Sequence, residues 1–226
     1  MTTATDTKAK RSSSARAPRK PARRRRKDAR PSEIITAAKQ EFVEKGFADA
    51  RLEDIAARAG VVKGTIYLYF ENKEALFKDV IRSNLLPTVD EYTALVRDFP
   101  GPTPDLLKLM VRGMYDKMVR TELRSIIRIL LAEGTKFPEI LDFYHAEIVT
   151  KGEALLRTIL ERGIARGEFR DAPASHEQRM IVGPVIAAAF WQLTFEAQEP
   201  LDLDSYIDAH LDMLMHGLCG ANHRPD

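Results

Sequence analysis

The chain has one cysteine, Cys219, in 226 residues, which excludes an intrachain disulfide and any zinc site built on paired cysteines, and suits a reducing compartment. Long apolar runs are missing too. The most apolar stretch, Met180 to Phe195, is broken by Gly183 and Pro184 and falls short of the roughly 20 residues that cross a bilayer. The first thirty residues hold no apolar run of the kind a secretory signal needs, so the chain is expected in the cytoplasm, away from membranes. Sustained period-two alternation bounded by turn residues, the mark of strands, occurs nowhere. There is no glycine-rich phosphate loop, no nucleophile elbow and no Glu-x-x-His motif of a di-iron bundle. Asp142 with His145, and His210 with Asp212 and His216, stand at helical spacings and read as ordinary surface or core residues. No catalysis, cofactor or metal is expected.

What is present is distributed unevenly. The net charge of +2 conceals a basic arm: residues 1–30 carry twelve lysines or arginines, with an unbroken run from Arg23 to Lys27, against Asp6 and Asp28. The remainder of the chain is net acidic. An arm rich in Arg, Pro, Ala and Ser cannot bury enough apolar surface to offset its ordering entropy, so residues 1–30 read as disordered in the free protein. Its partner is a polyanion. A membrane-binding arm would carry aromatic or aliphatic anchors and this one has none, which leaves nucleic acid ahead of a merely solubilising tail.

The rest reads as all-α. Pro31 and Ser32 mark a helix start with Ser32 as N-cap, and Ile34, Ile35, Ala38, Phe42 and Val43 follow at helical spacing until Gly46. Short helices are expected at about 52–59 and 63–69. A long one follows Asn72 and bears Leu76, Phe77, Val80, Ile81 and Leu85. The break Phe99–Pro104 marks the end of a first unit, and further helices are expected at about 104–119, 122–133, 138–166, 175–198 and 204–218, with Ser175 and Gln178 as a capping box.

Residues 51–70, RLEDIAARAGVVKGTIYLYF, satisfy the physical requirements of a helix-turn-helix. Ala56 lets two helices cross closely, Gly60 makes the tight turn, and Ile55, Val61 and Ile66 hold the unit together. Lys63, Gly64, Thr65, Tyr67 and Leu68 then face outward, with Tyr69 completing the candidate DNA-binding surface. Lys63 can donate to guanine or phosphate, Thr65 can reach a base edge, and Gly64 allows close backbone approach. Lys73 sits just after the N-cap Asn72, where the helix dipole disfavours a cation. A shared DNA phosphate would account for it there.

Through EFVEKGFADARLEDIAARAGVVKGTIYLYFENKEALF, the span from Arg30 to about Ser83 resembles the TetR family of bacterial one-component transcriptional regulators. The resemblance implies a three-helix DNA-binding domain at 31–90 and a larger helical ligand-sensing and dimerisation domain at 91–226. Two positions depart from the family pattern. At Ala50 and Arg51 a capping Thr or Ser is lost, which leaves Arg51 for a phosphate contact. At Val62 a small polar cap of the recognition helix is missing.

The resemblance further implies a homodimer through the last two long helices, a double-stranded operator and a small-molecule effector. Gly183, Ala187, Ala188 and Ala189 are small enough for close helix approach, with Trp191 and Phe195 as anchors. Met110, Met114 and Met118 recur at i, i+4 and i+8 and form a flexible stripe that suits either a core or a ligand cavity. Phe143, Tyr144, Phe190 and Trp191 are the aromatic candidates to complete such a cavity. The function that follows is a ligand-responsive homodimeric repressor on a palindromic operator. The alternative is a nonspecific DNA-coating protein whose affinity comes from the arm.

Overall fold

The computed structural model describes residues 22–219; of the arm expected to be disordered over residues 1–30, residues 22–30 are helical, against that expectation, and residues 1–21 lie outside the described residues. Ten α-helices occur among them: α1 (Ala22–Asp49), α2 (Leu52–Arg58), α3 (Lys63–Ile66), α4 (Lys73–Asp98), α5 (Thr103–Met118), α6 (Arg124–Glu133), α7 (Pro138–Tyr144), α8 (Thr150–Ala165), α9 (Arg179–Thr194) and α10 (Leu203–Cys219). No strand is found among the described residues.

Three boundaries differ from expectation. The first helix begins at Ala22 rather than beside Ser32, in a segment of good helix formers, Arg, Lys and Ala, that continues through Pro31 even though proline donates no backbone bond and crowds the carbonyl four residues before it. The Ser32 carbonyl accepts from Thr36 Oγ1 at 2.9 Å inside the helix, so Ser32 is not its N-cap. Helix α1 instead breaks where the sequence indicated, at Gly46, whose φ of 81° suits a residue without Cβ. The expected single helix over 138–166 contains a π-helical turn, His145–Val149, between α7 and α8. Lastly, α9 starts at Arg179, not Ser175. Ser175 ends a 3₁₀ turn and donates its hydroxyl to the Arg170 carbonyl at 2.7 Å instead of capping.

Two hydrophobic cores are stacked along α4. The first gathers Ile34, Ala38, Phe42 and Phe47 of α1 with Ile55, Ile66, Leu76, Phe77, Val80 and Ile81. Its centre is aromatic, with Phe42 edge-on to Phe77 at 4.9 Å and Phe47 edge-on to Phe137 at 4.6 Å. The second is built from α5, α8, α9 and α10 around Leu107, Met110, Tyr115, Ile159, Val185 and Leu211. Helix α4 runs without interruption through the expected junction at residue 90, burying Leu76 to Ile81 in the first core and Val96 in the second. Moreover, Ile126, Ile129 and Ile140, from α6 and α7, pack into the first core. The two halves therefore share elements.

The break at Phe99–Pro104 is clamped. Arg162 donates to the carbonyls of Phe99 and Gly101 at 2.9 and 3.0 Å, and Glu168 accepts from the Thr103 amide at 2.9 Å. A second clamp joins α6 to the end of α1. The Glu133 carboxylate accepts from the amides of Phe47 and Ala48 at 3.1 and 2.5 Å, which satisfies donors that the break at Gly46 leaves without helical partners. Replacing Glu133 by alanine orphans these amides and should lower unfolding free energy by about 1–3 kcal/mol. Denaturant melts of the two proteins measure the difference, and an unchanged midpoint would contradict the clamp.

Candidate nucleic-acid interface and internal cavity

Helix α2 buries Leu52, Ile55 and Ala56, and the turn is closed by the Val61 amide on the Ala56 carbonyl at 2.9 Å. Gly60 takes a φ of 65° in that turn, a conformation that L side chains rarely adopt. Neither α2 nor α3 has a side-chain cap: Arg51 and Val62, in extended conformation, stand at the two cap positions. The packing of Ile55 and Ile66, both fully buried, holds the pair in place of caps. Helix α3 is one turn long, and its turn continues through Tyr69, whose amide reaches the Ile66 carbonyl at 3.0 Å.

The outward surface assembles as the sequence predicted for most of its residues. Lys63, Gly64, Tyr67 and Leu68 are exposed and Thr65 is half-buried at their edge. Leu68 and Val62 are 77% and 74% exposed, two large apolar side chains that nothing among the described residues covers. Tyr69 differs: it is half-buried against the first core. Arg51 is exposed beside the same turn.

Two cations are placed by contacts that the sequence did not reveal. Lys63 pairs with Glu53 of α2 at 2.6 Å and lies over the Tyr67 ring, 5.7 Å from its centroid. The bond to Glu53 raises the Lys63 pKa and lowers that of Glu53, so a nucleic acid taking this ammonium must replace a carboxylate. Lys73 corrects the expectation more sharply. Its ammonium donates to the carbonyls of Phe47, Ala48 and Ala50 at 2.7, 2.9 and 3.0 Å and lies 4.6 Å from the Phe47 ring centroid. All three protons are thus used within the chain. The cation that the helix dipole disfavours is held by carbonyls left open at the end of α1. Burial lowers its pKa without removing the charge.

The second half holds a half-open cavity of about 330 Å³ between α4, α5, the π turn, α8 and α9. Met110, Met114 and Met118 line it along α5, and Tyr144 lines it as expected. Phe143, Phe190 and Trp191 do not. Phe143 lies under the Arg82 guanidinium, 5.1 Å away. Phe190 and Trp191 pack against Phe195 at 6.1 and 5.0 Å, and the Trp191 indole donates to the Glu199 carbonyl at 2.9 Å. Helical periodicity had placed both on α9 without saying which side faces inward. Sequence reasoning missed Tyr92, Gly152, Glu153 and Val182 in the lining, which come from helices whose register only the fold fixes. His210, singled out by spacing, is buried with its Nδ1 3.0 Å from the Tyr115 hydroxyl.

On the far side, α9 buries Ile181, Val185, Ala188 and Ala189 and exposes Met180, Gly183, Ala187 and Phe190 as one stripe. Met213 of α10 is 75% exposed nearby. Between the two helices runs an apolar groove of about 650 Å³ lined by Met180, Pro184, Tyr206, Met213 and Leu214 among others. No described helix is long and apolar enough to cross a membrane.

Residues 34–80 match the family model described as bacterial regulatory proteins, tetR family. Residues 103–218 match that of the tetracyclin repressor-like C-terminal domain. The chain is 27% identical over 189 residues to the HTH-type transcriptional regulator SrpR of Pseudomonas putida, covering 72% of this chain and 84% of the relative. It is 42% identical over 136 residues to the uncharacterized HTH-type transcriptional regulator YdgC of Bacillus subtilis, covering 51% and 68%. Among solved structures, the transcriptional regulator FadR of Bacillus subtilis in complex with stearoyl-CoA superposes with a TM-score of 0.66 at 23% identity, over 82% of this chain and 98% of that one.

The geometry separates Lys73 from the reading surface in a measurable way. Lys73→Met should lower the stability of the chain by about 1–3 kcal/mol by orphaning partly buried carbonyls, while leaving the salt slope of DNA binding unchanged. Glu53→Gln should do the reverse, strengthening DNA binding with little effect on the melt, because Lys63 is released. Denaturant melts and DNA titrations at several salt concentrations test both. A flattened salt slope for Lys73→Met would restore the phosphate contact.

Proposed function

The chain belongs to the tetR family of bacterial regulatory proteins, and from that premise we propose that it is a ligand-responsive transcriptional repressor. In this reading it acts in the cytoplasm and binds a palindromic operator as a homodimer. The observation that carries the reading is the physical link between its two halves. The reading surface at Lys63–Leu68 is open to solvent, and the turn that leads into it is gripped by Glu133, at the end of a helix that belongs to the sensing half. A ligand that moves α6 therefore acts on the position of the helix-turn-helix.

Dimerisation follows from the α9 and α10 face. A stripe of Met180, Gly183, Ala187 and Phe190 exposed to water is unfavourable in a monomer, and small residues at its middle allow a second helix to approach. A twofold dimer presents two recognition helices to half-sites about one helical turn, 34–36 Å, apart on one DNA face. Arg51, Lys63, Gly64, Thr65, Tyr67 and Leu68 are the proposed contacts, with Tyr69 supporting them from the core side. The effector site is the cavity along Met110, Met114 and Met118, whose mostly apolar lining supports a small molecule with an apolar body as the class to test.

A DNA-coating protein has no need of a shaped reading face, and this separates the competing reading. Affinity for DNA upstream of the protein's own gene should exceed that for scrambled DNA by at least about 10³. A ratio near one in gel shifts would establish the coating role instead. Removing residues 1–21, which hold Lys8, Lys10, Arg11, Arg16, Arg19 and Lys20, should flatten the salt dependence while keeping that ratio, since each phosphate neutralised contributes about −0.9 to the slope.

The cavity admits a separate test. A Cβ at Gly152 meets nothing within 4 Å and the residue lines the chamber, so the side chain of Gly152→Leu starts into open space and takes up part of the chamber. The variant should bind operator as wild type does and lose release by effector. Effector-dependent release that survives in Gly152→Leu would move the ligand site elsewhere.

A further inference from the structure

The cavity has an apolar body and an unbalanced set of charges. Lys117 stands 3.6 Å from Glu91, and Arg179 donates through Nε and Nη2 to the two carboxylate oxygens of Glu177 at 2.7 and 2.8 Å. Each cation in the lining is thus matched by a carboxylate. Glu153 also lines the chamber, and among the described residues no lysine, arginine or histidine nitrogen comes within ion-pair distance of it. Arg179 feels Glu153 only as a weaker charge behind its bond to Glu177. One half-buried carboxylate therefore lines the cavity with no salt bridge of its own among the described residues, its nearest influence being the more distant Arg179 charge.

The neutral lining has the same preference. The methionine thioethers of Met110, Met114 and Met118 are soft and polarizable. Tyr92 and Tyr144 add aromatic faces, which attract cations through their negative quadrupole. Among the described residues neither tyrosine hydroxyl has a hydrogen-bond partner. Burial first, and then the nearby Glu91 and Asp116 carboxylates, hold the Tyr92 phenol above its ordinary range. Burial does the same for Tyr144. Both stay protonated, and the negative potential that acts on Tyr92 acts on any ligand beside it. An anionic head group would meet Glu153 directly. To be bound, it would have to draw Lys117 or Arg179 away from a carboxylate that already holds it.

Resting on the reading of this chamber as the effector site, we propose that the effector is a compact lipophilic organic monocation. Its charge lies against the Glu153 carboxylate and its apolar body on the Met110, Met114 and Met118 stripe. The chamber, near the lower end of the roughly 300–1,000 Å³ typical of small-molecule sites, suits a compact aromatic cation.

Tetraphenylphosphonium and tetraphenylborate have nearly the same size and shape and opposite charge, and therefore isolate the electrostatic term. Calorimetric titration of the full chain should give at least about tenfold tighter binding of the cation. Glu153→Gln, with its fold checked by thermal melting, should weaken the cation about tenfold, leave the borate no weaker, and so erase the preference. Gly152→Leu should abolish binding of both. Equal or tighter binding of the borate, or a cation affinity unchanged in Glu153→Gln, would overturn the charge assignment and leave the chamber as the ligand site. Binding of neither probe to the wild type, or binding undiminished in Gly152→Leu, would overturn the effector-site reading and the inference together.

Discussion

The turn from Phe47 to Ala50 is the point on which the molecule depends. Gly46 breaks α1 and leaves amides and carbonyls that the helix can no longer pair. Glu133 takes the amides of Phe47 and Ala48, while Lys73 takes the carbonyls of Phe47, Ala48 and Ala50. One charge arrives from α6 and the other from the start of α4, so three distant segments meet on four residues. The Phe47 ring beneath them packs on Phe77 and Phe137, which anchors the turn in the first core. Everything that follows in the chain, beginning with α2, is oriented by this junction.

The sequence made the helix-turn-helix legible because its determinants are local. Ala56, Gly60 and Ile66 act through spacing, and spacing is visible without a fold. The methionine stripe was legible for the same reason. Lys73 was not: its position at a helix start was read correctly, but its partners lie 23 to 26 residues away and depend on how α1 ends. Trp191 and Phe190 show the same limit, since an α9 that is apolar all round gives no direction to its faces. Nothing in its local sequence marks Glu153, and only the approach of α4, α5 and α9 makes it a lining residue.

The π turn at His145–Val149 joins the cavity to the first core. Ile148 and Val149 line the chamber, while Tyr144 and Ile148 also pack against the first core. A π turn carries an extra residue per hydrogen-bonded ring and commonly marks a functional position within a helix. Here it separates Ile140, which belongs to the helix-turn-helix side, from Leu156 and Ile159, which belong to the other core. On the proposed reading, a chamber wall that is also part of the first core would give an effector a second route, beside α6, to the helix-turn-helix.

The uninterrupted passage of α4 through both cores has a consequence for how such proteins can be recombined. Regulators of this kind invite the exchange of one sensing half for another, with a splice at the apparent boundary near residue 90. In this chain that cut falls within a continuous helix and strands Ile126, Ile129 and Ile140 on the wrong side of it. A chimera made there would keep the reading surface but lose part of the floor beneath it. The exchangeable piece is smaller than the sequence boundary implies. A graft that respects the packing has to carry α6 and α7 along with the first four helices, so this architecture is modular in its chemistry and indivisible in its core.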